Sequence, residues 1–408
     1  MRPRRILLLA LAVCLLLFPT AAQAVSQAGL RSTLNTLHNR LGTSAGAYVV
    51  DLADGGVLYS HRPTLALAPA SNEKLFVTAA ALLKFGGSGT LTTRVEAAPG
   101  VVPDADGALP GNLYLVGGGD PTLDDAGLKA LAGQVAAAGV KEIEGAVVGD
   151  ESFFDTLRGG PDSSYQPDGD LGGWLSGLSW SHGRAYSAKR AAAKLAAYLK
   201  AAKVTYERAP KSGKRPSSGA TEAQDDAASE GDPIASLPSP MVSSLIQRTN
   251  VPSENYYAEM LTKALGATYG ARGSTTAGLA VVRAQLATLG VHPRLVDGSG
   301  LSRANKTTAQ QVVRLLQRMD AQDAASTWRA SLPIAGRSGT LRGRMRGTAA
   351  AGRCAAKTGT LIGVSALSGY CATTGGRTIA FSFIENRVCN YCAKAVEDRM
   401  VSAIARLD

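Results

Sequence analysis

Three short stretches of this 408-residue chain carry side chains that acyl-transfer chemistry could use. Ser71-Asn72-Glu73-Lys74 puts a hydroxyl and an amine three residues apart at an expected helix start, so one turn stacks them on the same face. The helix dipole there favours negative charge developing on Ser71. Lys74 can accept a proton only when neutral; burial among Leu75 and Phe76, with a second cation nearby, would depress its pKa. Ser253-Glu254-Asn255 follows Pro252 at the head of another helical pattern. Lys357-Thr358-Gly359-Thr360 lines a cation and two hydroxyls along an otherwise hydrophobic strand, where an ammonium group and a glycine are both out of place.

Each stretch also has a purely structural reading. Ser71 and Ser253 could be helix N-caps, and Lys357 could guard an exposed strand edge against aggregation. Two facts favour chemistry at Ser71. It is the only serine with a lysine three residues on, and it opens a helix apolar nearly all round through Leu75, Val77, Ala79, Leu82 and Leu83. Such a helix belongs in the middle of a domain. The commoner hydrolytic motifs are missing: there is no His-Glu-x-x-His and no Gly-x-Ser-x-Gly, and only His38, His61, His182 and His292 are present. A serine nucleophile here needs a base other than histidine, and lysine can be that base.

The elements that must position these groups can be read from pattern. Residues 45–60 form a hairpin turning at Asp54-Gly55-Gly56. The buried helix after Ser71 ends at Gly86-Gly87. From 95 to 234 the texture changes to short strands, such as 112–118 and 142–150, with Gly/Asp turns and one alanine-rich helix at 188–202. Within it, 209–233 is rich in Pro, Ser, Gly and charge and reads as a mobile linker. Helical patterns return from 239 to 270 and at 307–319. Three strands at 352–359, 363–372 and 377–385 follow, and a helix closes the chain at 391–406. Two strands near the start and three near the end, with helices between, predict an α+β domain whose antiparallel sheet is flanked by helices. Its two parts are 25–94 and 235–408, and an α/β lobe is inserted between them at 95–234.

The first 24 residues read as a signal peptide. Arg2, Arg4 and Arg5 precede an apolar run from Ile6 to Phe18, which closes on Ala22-Gln23-Ala24. Thirteen apolar residues fall short of the ~20 needed to span a bilayer, so no transmembrane anchor is expected after cleavage. The remaining 384 residues would be exported, to a periplasm or the cell exterior, with the formal charge falling from +11 to +8 as three arginines leave. That excess suits approach to anionic polymers. No basic stripe interleaved with aromatics points to nucleic acid. Four cysteines remain, Cys354, Cys371, Cys389 and Cys392, and an oxidising compartment permits bridges among them. Three pairings are open. Strands turning at Leu361–Ile362 would bring 354 opposite 371, leaving 389 to join 392. A zinc site would need further ligands, and no histidine follows His292.

In order, the three stretches resemble the S-x-x-K, S-x-N and K-T-G elements of the penicillin-recognising serine acyl-transferases. Residues 113–123, 297–303 and 331–370 extend the likeness to the class C low-molecular-mass penicillin-binding proteins, which are D-Ala-D-Ala carboxypeptidases and endopeptidases. Two departures are Glu254 where Asp is common and an inserted lobe that is short for the family. The resemblance implies peptidoglycan stem peptides as substrate, β-lactams as inhibitors, and no metal or organic cofactor. It implies Ser71 as nucleophile, Lys74 as its base, and Ser253 with Lys357 as a proton relay to the leaving D-Ala. Asn255 would bind the substrate backbone, and Lys357, Thr358 and Thr360 its carboxylate. The N–H groups of Ser71 and Thr360 would form the oxyanion hole. Asp297 and Ser299 read as a structural turn. The alternatives are a serine β-lactamase and a catalytically silent wall-binding protein, though the latter would normally have lost one of these residues.

Overall fold

The computed structural model describes residues 25–217 and 233–408. The expected signal peptide and most of the expected linker lie outside the described residues. Where the linker's first residues are described, they depart from expectation. Residues 209–212 belong to a strand, Thr205–Ser212, paired in parallel with Glu142–Asp150. Its side chains are largely exposed, so residues 209–212 carry little apolar signal, and the strand is held by backbone pairing and by Tyr206 packed against the second core.

The central sheet is antiparallel and uses both ends of the chain. β1 (Ala45–Asp51) and β2 (Val57–His61) make the expected hairpin, with the Asp54 carboxylate accepting from Gly56 N at 2.7 Å. Eleven strands, β1 to β11 in chain order, lie among the described residues. β3 to β8 are Thr92–Glu96, Ala108–Leu109, Leu113–Val116, Glu142–Asp150, Thr205–Ser212 and Ala235–Pro238. β9 to β11 are Cys354–Leu361, Val364–Ala372 and Thr378–Asn386. The central order is β2-β1-β11-β10-β9, so the first hairpin joins the C-terminal meander through β1 and β11.

Side-chain alternation along β11 explains the sandwich. Ile379, Phe381 and Phe383 face a core completed by the helices Gln27–His38 and Asn390–Ala405, whereas Ala380 and Ile384 face the larger core. That larger core gathers the helices Lys74–Phe85, Val242–Asn250, Asn255–Tyr269, Thr275–Thr288 and Ala309–Asp320. A sheet buried on both faces and fed by helices from both sides is the α+β architecture expected.

β3 to β8 make a second, mixed sheet with its own core against two helices, Asp125–Ala137 and Ser187–Ala201. Only the second of these was expected. The first starts at Asp124, whose carboxylate caps Gly127 N, and buries Leu128, Leu131 and Val135 at helical spacing. Cys354 and Cys371 stand directly opposite in the β9–β10 register and are joined, as are Cys389 and Cys392 at the last helix's start. No helix among the described residues is long and apolar enough to cross a membrane.

Candidate active site

The serine turn is built by two elements and a close approach. Ser71 is not the helix N-cap expected from sequence. It lies inside a 3₁₀ turn, Ala70–Glu73, that runs into the Lys74–Phe85 helix. Ala70, just before it, is held at φ 47°, a conformation disfavoured for a residue with a Cβ, which aims the turn at β9. The Asn72 side chain donates to Ser368 Oγ on β10 at 2.7 Å and pins the turn to the sheet. Gly359 completes the fit. A Cβ there would stand 2.5 Å from the Pro69 carbonyl oxygen and 3.2 Å from the Ser71 nitrogen. The expected closeness of backbone at Gly359 is therefore a strand-to-turn contact.

Lys74 is fully buried, and its amine meets three acceptors: Ser71 Oγ at 3.0 Å, Asn255 Oδ1 at 2.7 Å and the Ser299 carbonyl at 2.5 Å. Lys357, equally buried on β9, reaches Ser253 Oγ at 2.7 Å and the Thr358 carbonyl at 2.8 Å. Ser253 itself is held at φ 70°, a strained setting for a serine, at the entry to the Asn255–Tyr269 helix. Its neighbour Glu254 turns outward, 3.9 Å from His182, so the departure from Asp leaves Ser253 and Asn255 in place. Thr358 Oγ1 donates to Thr340 Oγ1 at 2.8 Å. Thr360 is exposed two residues on, paired in register with Ser365. All seven residues singled out from sequence thus converge on one edge of β9 and the serine turn beside it.

Electrostatics set the two lysines apart. Burial pushes the Lys74 amine down to about 8, while the Asp297, Glu259 and Glu73 carboxyls oppose the fall. The second cation expected to depress Lys74 acts in the other direction. Burial first and then the charge on Lys74 hold Lys357 well below the usual lysine range. A neutral Lys74 near pH 8 can take a proton from Ser71, and a neutral Lys357 can exchange one with Ser253.

Four groups were missed from sequence. The Asp297–Ser302 turn is structural, as read: Asp297 accepts from Gly300 N, Ser302 N and Asn305 Nδ2. Yet its Ser299 carbonyl is a ligand of Lys74, and main-chain groups leave no residue-type signal. Glu259 accepts from Gly298 N and Ser299 N, both at 2.8 Å. Thr340 stands in a 3₁₀ turn, Gly339–Leu341, seventeen residues before β9's lysine. The Asp170 carbonyl, from the segment after β6, accepts from Asn255 Nδ2 at 2.7 Å. Among the described residues no cluster of three or more His, Cys, Asp or Glu could hold a metal.

The pattern of the D-Ala-D-Ala carboxypeptidase 3 (S13) family matches residues 27–169 and 183–407. The chain belongs to that family. It is 34% identical to a D-alanyl-D-alanine carboxypeptidase of Actinomadura sp. (strain R39), over 89% of this chain and 81% of that one. It is 30% identical to the carboxypeptidase DacB of Mycolicibacterium smegmatis, over 83% of this chain and 75% of the relative. Among solved structures it is similar to penicillin binding protein 4 (dacB) from Haemophilus influenzae, with a TM-score of 0.73 at 20% identity. That match covers 90% of this chain and 97% of the other, and it establishes the shared fold. The family resemblance and the fold class expected from sequence both hold.

Proposed function

We propose that this S13-family chain is an exported serine peptidase that cleaves D-Ala-D-Ala bonds, and D-Ala–diamino acid cross-links, in peptidoglycan stem peptides. The observation that carries the reading is the pairing of two buried lysines with two serines, Lys74 with Ser71 and Lys357 with Ser253. In the resting state Lys74 donates to Ser71, Asn255 and Ser299. Once neutral, it takes the Ser71 proton as Ser71 Oγ attacks the carbonyl of the penultimate D-Ala. The tetrahedral oxyanion sits between the N–H groups of Ser71 and Thr360, donors worth ~3–4 kcal/mol each.

Collapse expels the terminal residue's amine, which needs a proton. Ser253 supplies it and is recharged through Lys357 by the proton that Lys74 took from Ser71. The terminal carboxylate docks along β9, where Thr358, Thr360 and Thr340 offer hydroxyls and Lys357 offers positive charge whenever it is protonated. Asn255 orients the peptide through its side-chain amide, with Nδ2 exchanging the Asp170 carbonyl for the substrate. Water then hydrolyses the Ser71 ester: Lys74, neutral again, takes a proton from the attacking water and gives it to Ser71 Oγ. A β-lactam enters by the same acylation, but its leaving group stays tethered.

The test is mass spectrometry of products from purified linear and cross-linked muropeptides. Loss of one D-Ala from a pentapeptide, blocked by benzylpenicillin, supports the reading. Intact substrate with a correctly folded protein would remove it.

A further inference from the structure

Around Lys74 lies a buried group of carboxyls that the reaction scheme does not use. Glu259, on the Asn255–Tyr269 helix, is fully buried; one oxygen takes both the Gly298 and Ser299 N–H groups, and the other has no partner among the described residues. The Ser299 carbonyl, on the far side of that residue, accepts from Lys74 Nζ at 2.5 Å. Glu73, in the serine turn, is fully buried with neither oxygen partnered among the described residues. Asp297 is spent on the two backbone N–H groups and the Asn305 amide of its own turn.

We propose that Glu259 is a positioning residue for acylation: it holds the Gly298–Ser299 peptide so that the Ser299 carbonyl meets Lys74, and its charge governs how readily Lys74 gives up its proton. The inference rests on the reading of Lys74 as the base for Ser71. A buried carboxylate accepting two N–H bonds holds the part of the turn that presents its carbonyl to the lysine. Deleting its negative charge removes one of the influences that keep Lys74 protonated, because burial alone drives the amine toward neutrality.

The other charged groups around this pocket are accounted for. Burial, Asp297 and Glu259 push Glu73 well above the usual carboxyl range, so it gives up its proton less readily than an ordinary carboxyl. Burial and then Asp297 hold Glu259 itself up to about 7. Lys263, on the same helix, is committed to Asp155 at 2.5 Å and to the Leu157 carbonyl. Glu254 acts on Lys74 only weakly, from an exposed position. Lys357 faces Lys74 from β9 and is itself held toward neutrality.

Two variants separate position from charge. Glu259→Gln keeps an oxygen for the two N–H groups and removes the charge; Glu259→Asp keeps the charge and withdraws it by one methylene. The readout is the rate of covalent labelling by a fluorescent penicillin from pH 5 to 10, with far-UV circular dichroism and Tm reporting folding. With Gln, the acid limb should move down by about one pH unit over the range where Glu259 is ionised, so the variant labels faster than wild type between about pH 7 and 8. With Asp, the rate should fall about tenfold at every pH with the limb in place, a loss of about 1.4 kcal/mol. A Gln variant whose limb coincides with wild type overturns the charge role. An Asp variant as fast as wild type overturns the positioning role, and does so even if Gln fails to fold. Wild-type protein that is never labelled would instead strike the proposed function beneath both.

Discussion

Gly359 of β9 lies against the backbone of Ser71, with room for a hydrogen and no more. A Cβ at 359 would meet the Pro69 carbonyl at 2.5 Å and the Ser71 nitrogen at 3.2 Å. The Ser71 nitrogen is one of the two oxyanion donors proposed above, so this contact couples strand packing to transition-state geometry.

Gly359→Ala should therefore cost more in rate than in stability. Overpacking of this kind costs ~1–3 kcal/mol of stability, which a domain of this size can absorb. Displacing one oxyanion donor should slow acylation ~100-fold or more. The check is the second-order labelling rate with a fluorescent penicillin, set beside the Tm. Near-wild-type labelling would show that the strand can yield without moving Ser71.

Ser71→Ala should abolish covalent labelling and leave thermal unfolding almost unchanged. The hydroxyl makes one hydrogen bond, to a lysine that keeps two other acceptors. Persistent labelling of that variant would assign the acylated residue elsewhere.

The rate of acylation should climb with pH and level off above the Lys74 titration, which burial has brought down to about 8. The sign follows from the base role: protonated Lys74 cannot receive the Ser71 proton, so activity is lost as pH falls through that value. Stopped-flow acylation between pH 6 and 10 measures this directly. A rate independent of pH across that window would exclude Lys74 as the titrating base.

Much of this site was legible because its side chains sit at short, regular spacings. Ser71 and Lys74 are one turn apart, and Lys357 to Thr360 run along a single strand, so local geometry fixes who faces whom. The groups that escaped notice act through the backbone or across long separations. Ser299 contributes a carbonyl, Asp170 another, and Thr340 meets Thr358 from a 3₁₀ turn, Gly339–Leu341, whose Thr340 N–H donates to the Val251 carbonyl at 3.1 Å. The sheet was readable from its alternation and Gly turns. Strand β7 was not, because an exposed strand of Lys, Arg and Glu paired on one side has the composition of a loop.

Breaking the Cys354–Cys371 bridge should lower stability by about 3 kcal/mol, since the closed loop spans 17 residues. The double Cys354→Ser, Cys371→Ser variant tests this in urea. Non-reducing peptide mapping tests the pairing itself, and a 371–389 link would refute it. Acylation should survive in the variant where it folds, because β9 is also held by its backbone register with β10 from Cys371 to Val364.

Penicillin should acylate this protein quickly and leave it slowly. Deacylation requires a base that activates water while the opened ring, still attached, crowds the site. Class A β-lactamases use a Glu a few dozen residues past the S-x-N element, and no Asp or Glu occurs from Met260 to Val296. Class C β-lactamases place Tyr first in that element, and this chain has Ser253. The carboxyls that do lie near Lys74 are no substitute. Glu73 is buried and held well above the usual carboxyl range, Glu259 is turned onto the Gly298 and Ser299 N–H groups, and Asp297 is spent on its own turn. With a D-Ala peptide the amine diffuses away and opens a path for water to the Ser71 ester; with penicillin it stays. The adduct should persist for minutes or longer. Mass spectrometry at timed intervals after mixing with benzylpenicillin decides the matter: rapid turnover with no accumulated adduct would make the protein a β-lactamase.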